Sequence, residues 1–123
     1  MKAHRPGLEA RRKALRKGRT GEWFAAAMLR AKGYRIVARN FRTKLGEIDI
    51  VARKGDLIAF VEVKARPSAT EAIDAVSFEA QRRIANAADI WIGRQKDASR
   101  LSWRFDIVAV PPLRWPIHFE DAF

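Results

Sequence analysis

A chain of 123 residues has room for one core and little more, and its 48% apolar share, with four tryptophans and seven phenylalanines, can build that core without metal or disulfide staples. With no cysteine and only two histidines, His4 and His118, a disulfide framework and a thiolate zinc site are both excluded, and no stretch approaches the ~20 apolar residues that span a bilayer. The 25 lysines and arginines outnumber 14 acids, and the resulting charge of +11 favours a polyanionic partner, nucleic acid ahead of anionic lipid.

Residues 1–18 form the first unit, because eight basic residues lie between Lys2 and Arg19 with few large apolar side chains to bury, and loose order is expected. The basic start lacks the apolar run of a secretory signal, so a soluble intracellular protein is expected. Residues 19–123 should then form a single domain. A first helix is predicted over Arg19–Lys32, with Phe24, Ala27, Met28 and Ala31 as its buried stripe and Gly33 as its stop. Three strand-like runs follow, Tyr34–Phe41, Glu47–Arg53 and Leu57–Ala65, separated by turn signals near Lys44–Gly46 and at Lys54-Gly55.

Residues 66–76 read as a mobile connection, and Ser77–Gly93 as a second helix burying Ile84, Ala87, Ala88 and Trp91. A fourth strand, Ser102–Val110, is stopped by Pro111-Pro112 because proline cannot donate to a ladder. An aromatic and proline-rich tail, residues 111–123, closes the chain. Trp23, Trp91 and Trp103 are assigned to the core, whereas Trp115 and Phe119 would cover a sheet edge or an interface with another copy. The order α-β-β-β-α-β implies an α/β fold, a mixed sheet flanked by helices.

If Lys54-Gly55 is the hairpin turn, cross-strand partners have numbers summing to 109. Val51 then faces Ile58, Asp49 faces Phe60, Glu47 faces Glu62 and Leu45 faces Lys64 on one side. Ile50–Ala59 and Ile48–Val61 make an apolar second side. Asp49 and Glu62 lie diagonally, within reach of one shared ion. Clustered carboxylates need a compensating cation, and a hard ion such as magnesium accepts one or two carboxylates, water and a carbonyl such as that of Val63. Such an ion would serve phosphodiester hydrolysis, with Lys64, two residues beyond Glu62 on the same side, orienting or stabilising the attacking water. The competing reading of Asp49, Glu62 and Lys64 is a solvated cross-strand ion pair that contributes little.

Gly21-Glu22, Gly33-Tyr34, Gly46-Glu47-Ile48-Asp49 and Phe60-Val61-Glu62-Val63-Lys64, in that order, resemble the YraN-like family of uncharacterised bacterial proteins. That family is similar to the PD-(D/E)xK nucleases and Holliday-junction resolvases, and the resemblance runs from Gly18 to Phe123. It implies a restriction-endonuclease-like core and a cytoplasmic, magnesium- or manganese-dependent endonuclease acting on DNA rather than RNA, including branched DNA. It further implies Asp49 and Glu62 as metal ligands, Lys64 as the catalytic lysine, Glu22 as the acidic residue of the first helix and Gln81 as a substrate-facing polar position. A homodimer is implied by analogy with resolvases. Relatives can keep such a scaffold without catalysis, so a non-catalytic nucleic-acid-binding module stands as the alternative. Glu22 also suits the first turn of a helix through the macrodipole. Glu47 is open between ligand, supporting residue and exposed acid, Gln81 suits a helix surface, and His118 suits a structural place.

Overall fold

The computed structural model describes residues 21–123, so the expectations for segment 1–18 and for a helix start at Arg19 lie outside the described residues. Within them, helix α1 covers 21–31 and ends ahead of Gly33, as expected. Its buried residues are Ala25, Ala26 and Leu29, not the predicted stripe, and Phe24 is exposed. Alanines occupy adjacent positions around this helix, so periodicity alone did not determine which of them meets the sheet.

A five-stranded sheet in the order β1-β2-β3-β4-β5 carries the fold. Its strands are β1 (Arg35–Thr43), β2 (Gly46–Lys54), β3 (Leu57–Lys64), β4 (Ser102–Ala109) and β5 (Ile117–Phe119). The first three pair antiparallel, β3 and β4 pair parallel, and β5 returns antiparallel on β4. Helix α3 (Phe78–Gly93), capped by the Ser77 hydroxyl, makes the crossover that a parallel pair requires. The architecture is therefore an α/β mixed sheet flanked by helices. It contains two elements not read from the sequence: α2 (Ala69–Asp74), capped by Ser68 within the expected connection, and β5 within the tail.

Among the described residues, α1 packs on one face of the sheet and α3 on the other, while α2 contacts β4. On one side, Ala25, Ala26 and Leu29 of α1 meet Ile50, Ala52, Ala59, Val61 and Val108. On the other, Ile84, Ala87, Ala88 and Trp91 of α3, the predicted stripe, meet Ile48, Val51, Ile58, Phe60 and Ile107. Ile48 thus sits across the sheet from Ile50, contrary to the expected Ile48–Ile50 face. Strict alternation fails between them, in the part of β2 that has left its ladder with β3. Trp91 is buried, but Trp23 and Trp103 are 58% and 43% exposed, which corrects their assignment to the core. No helix among the described residues is long and apolar enough to cross a membrane.

The hairpin register differs from expectation by two residues. Lys54 pairs with Leu57 and Val51 with Phe60, so partners sum to 111 and the loop is Gly55-Asp56. Gly55 takes φ +63, a conformation that costs glycine little, while Arg53 Nε donates to its carbonyl at 2.7 Å. A two-residue shift preserves parity, so within the paired stretch Ile50–Lys54 odd residues of β2 still share a side with even residues of β3. Gly46 has a different constraint: a Cβ there would lie 1.9 Å from the Arg83 carbonyl oxygen, so the α3 backbone rests directly on β2.

Candidate functional site

The β2–β3 ladder runs only to Ile50–Val61, whereas β3 stays paired with β4 as far as Lys64–Ala109. Beyond Ile50 the two strands of the hairpin part, and the backbone of residues 62–64 must find other partners on that side. One is a side chain, since the Val63 N–H donates to Asp49 Oδ2 at 2.8 Å. Asp49 and Glu62 lie just past the last paired residues, and their side chains are joined by a hydrogen bond. Lys64 Nζ lies 3.4 Å from Glu62 Oε1, with both side chains largely withdrawn from solvent at 25% and 15% exposure.

Asp49 is the electrostatic hub here, acting on Glu22 and Glu62 and itself acted on by Glu47. Burial, and then the charge of Asp49, push Glu62 up to about 8; the Lys64 ammonium pulls the other way. Burial also raises Asp49 above the ordinary carboxylate value despite the opposing Val63 N–H. A hydrogen bond between the two side chains favours ionised Asp49 and protonated Glu62. Glu22 is raised as well, first by burial and then by Asp49, while a hydrogen bond from Asn40 and the charges of Arg39 and Arg42 lower it. Gly21 explains how α1 reaches this place: a Cβ there would touch Ala65 at 3.7 Å and Val110 at 3.9 Å, so the described start of the helix abuts the ends of β3 and β4.

Asp49, Glu62, Val63 and Lys64 are therefore brought together, with Glu22 near enough to feel the charge of Asp49. Two other candidates are tied elsewhere. Glu47 is near enough for its charge to raise Asp49, but its side chain is mainly exposed and pairs with its β1 neighbour Arg42 at 3.6 Å, a solvated cross-strand ion pair. Gln81 donates through Nε2 to the Val76 carbonyl at 3.2 Å, tying α3 to the turn after α2. Among the described residues, no three His, Cys, Asp or Glu side chains form a ready metal cluster. A cation at this place would rest on two carboxylates, backbone and water. That donor set of oxygens alone suits magnesium or manganese and excludes the soft-ligand sites of zinc.

Sequence reading missed Asn40, which sits on β1 at φ +50 beside the acids. Asparagine tolerates that conformation better than most residues, but nothing in the pattern of β1 marked it. It also missed a second polar cluster. Asp106, fully buried on β4, accepts from Arg104 Nε at 2.9 Å and from the Asp121 N–H at 3.0 Å, and lies 2.7 Å from His118 Nε2. His118 Nδ1 is in turn 2.6 Å from Lys32 Nζ at the end of α1. His118 is thus a structural residue that ties β5 to the core, and the only signal for Asp106 was an acid inside an apolar strand.

The matched region and the site coincide. The model of the uncharacterised protein family UPF0102 matches residues 21–110, from the start of α1 to the end of β4. A UPF0102 protein of Mesorhizobium japonicum is 60% identical over 121 residues, covering 98% of this chain and 96% of the relative. One of Chelativorans sp. is 61% identical over 120 residues, covering 95% and 97%. Another, of Rhizobium meliloti, is 58% identical over 123 residues and covers both chains completely. The family model spans every residue of the Glu22, Asp49, Glu62 and Lys64 group, and the relatives match at full length: the chain belongs to the UPF0102, YraN-like family.

Proposed function

We propose that this protein is a metal-dependent endonuclease that hydrolyses phosphodiester bonds in DNA, including branched or otherwise structured DNA. The observation that carries this reading is the convergence of two partly buried carboxyls, joined by a hydrogen bond, with a lysine 3.4 Å from one of them, where two strands part. With Glu62 pushed up to about 8 the pair is held together by a retained proton, and a divalent cation that replaces this proton would draw on both carboxylates.

Asp49 and Glu62 would hold magnesium or manganese, with the Val63 carbonyl as a further ligand. A divalent cation there supplies Lewis-acid polarisation of a phosphoryl oxygen and makes water a better nucleophile. Lys64 orients the attacking water and offsets negative charge developing on the phosphate. Glu22 presents a carboxyl from α1 toward the same centre. The Val63 N–H fixes the Asp49 carboxylate so that it need not reorganise when substrate arrives.

The test is a cleavage panel of duplex, single-stranded, branched and RNA substrates with magnesium or manganese. Asp49→Ala and Glu62→Ala should each lower cleavage by about a hundredfold or more. Cleavage undiminished in both variants would assign the activity to a contaminant and end this reading. A second reading, a catalytically inactive nucleic-acid-binding module, is motivated by the charge of +11, which serves binding with or without turnover. It predicts binding without turnover across the whole panel.

A further inference from the structure

Beside the acidic centre lies a groove of about 700 Å³, floored by Phe24, Val110 and the Pro111–Pro116 turn. It adjoins that centre through the chain itself: Gly21 and Ala65, which line it, are the immediate neighbours of Glu22 and Lys64. Its large apolar side chains face solvent, with Trp115 85% and Phe24 43% exposed. Among the described residues its charged lining consists of Arg66 and Arg114, with no carboxylate.

The groove is also stiff. Four of the five prolines of the chain, at positions 67, 111, 112 and 116, line it, and proline removes backbone freedom before any ligand arrives. Leu113, fully exposed, is held at φ +56, a left-handed conformation unfavourable for a bulky residue. The turn therefore displays Trp115 rather than burying it. An indole held open beside two guanidinium groups suits a ligand with flat apolar faces and an anionic backbone. In a duplex those faces are stacked away, so only unpaired nucleotides could use the groove fully.

We propose that this groove is a docking site for unpaired bases of DNA, stacked on Trp115 with flanking phosphates on Arg66 and Arg114, so that the substrate carries a single-stranded segment next to the bond to be cut. This rests on the reading of the adjoining acids as a phosphodiesterase centre, but it is tested by binding without metal, so either can fail alone. Fluorescence anisotropy in EDTA would compare a labelled oligothymidylate with a duplex of equal length. Trp115→Ala should weaken single-strand binding about tenfold while changing duplex binding less than twofold, and Trp115→Tyr, which keeps a stacking face, should largely restore it. Because Trp115 is so exposed, both variants should melt like the parent protein.

Equal losses on single strand and duplex would overturn the proposal, as would failure of tyrosine to restore binding. Trp115-dependent binding of oligouridylate tighter than that of oligothymidylate would reassign the occupant to RNA and overturn the DNA assignment. Self-association of the parent protein that disappears in Trp115→Ala, seen by sedimentation, would make the groove a contact between copies and equally overturn it. Intact single-strand preference together with no cleavage on any substrate would leave the groove standing and remove the nuclease reading.

Discussion

Glu62 holds its proton unusually tightly because burial, and then the nearby Asp49, disfavour its ionised form, with its pKa pushed up to about 8. The folded protein therefore binds this proton more strongly than the unfolded chain does, and the associated stability is present at low pH and lost as pH rises through the interval up to about 8. Metal-free protein should melt several degrees lower at pH 9 than at pH 6, and Glu62→Gln should shrink that difference; an unchanged gap in differential scanning would refute the coupling. A cation at the site competes with the same proton, so magnesium binding should strengthen from pH 6 to pH 9 with proton release. Titration calorimetry in buffers of different ionisation enthalpy reads that release directly. Lys64 moderates the repulsion without removing it, being one ammonium beside two carboxyls.

At the scale of elements, the site depends on β2 being held firmly where it leaves β3. The α3 backbone at Arg83 lies against Gly46, so Gly46→Ala should force α3 away from the sheet and destabilise the protein by about 2–3 kcal/mol. Urea denaturation measures this; a loss below about 0.5 kcal/mol would mean that the helix shifts freely. The opposite edge is held by Asp106, whose carboxyl is kept below the usual range: burial opposes the shift, but hydrogen bonds with His118, Arg104 and the Asp121 N–H outweigh it. Asp106→Ala would strip these groups of their common acceptor and should cost about 3–5 kcal/mol, with β5 amides losing hydrogen-exchange protection before those of β4. Equal loss of protection in both strands would show that the cluster does not act through β5. Short elements such as β5 escape sequence reading because three residues carry too little periodicity, and its place is set by a long-range bond to a buried acid.

For the whole molecule, the charge of +11 is the dominant long-range feature. Binding to nucleic acid should release counterions, so affinity for DNA should fall at least about tenfold between 50 and 200 mM salt. Anisotropy titrations across that range check it, and an affinity that hardly changes would set aside polyanion binding as the purpose of the charge. Charge of this kind concerns partner and association rate rather than fold.

From composition and alternation alone came the α/β class, the four main strands within a residue or two at most ends, the α3 stripe and the grouping of Asp49, Glu62 and Lys64. These depend on local periodicity and on side-chain parity along a hairpin, and parity survives a register error of two. The tertiary structure decided what parity cannot reach. It moved the hairpin loop to Gly55-Asp56, parted the strands beyond Ile50 so that Asp49 accepts from the Val63 N–H, turned Ile48 across the sheet from Ile50, and gave Glu47 to Arg42 and Gln81 to Val76. It also left Trp23, Trp103 and Trp115 in solvent. Each of these outcomes depends on which distant surface a side chain meets, and that is fixed only when helices and strands pack together.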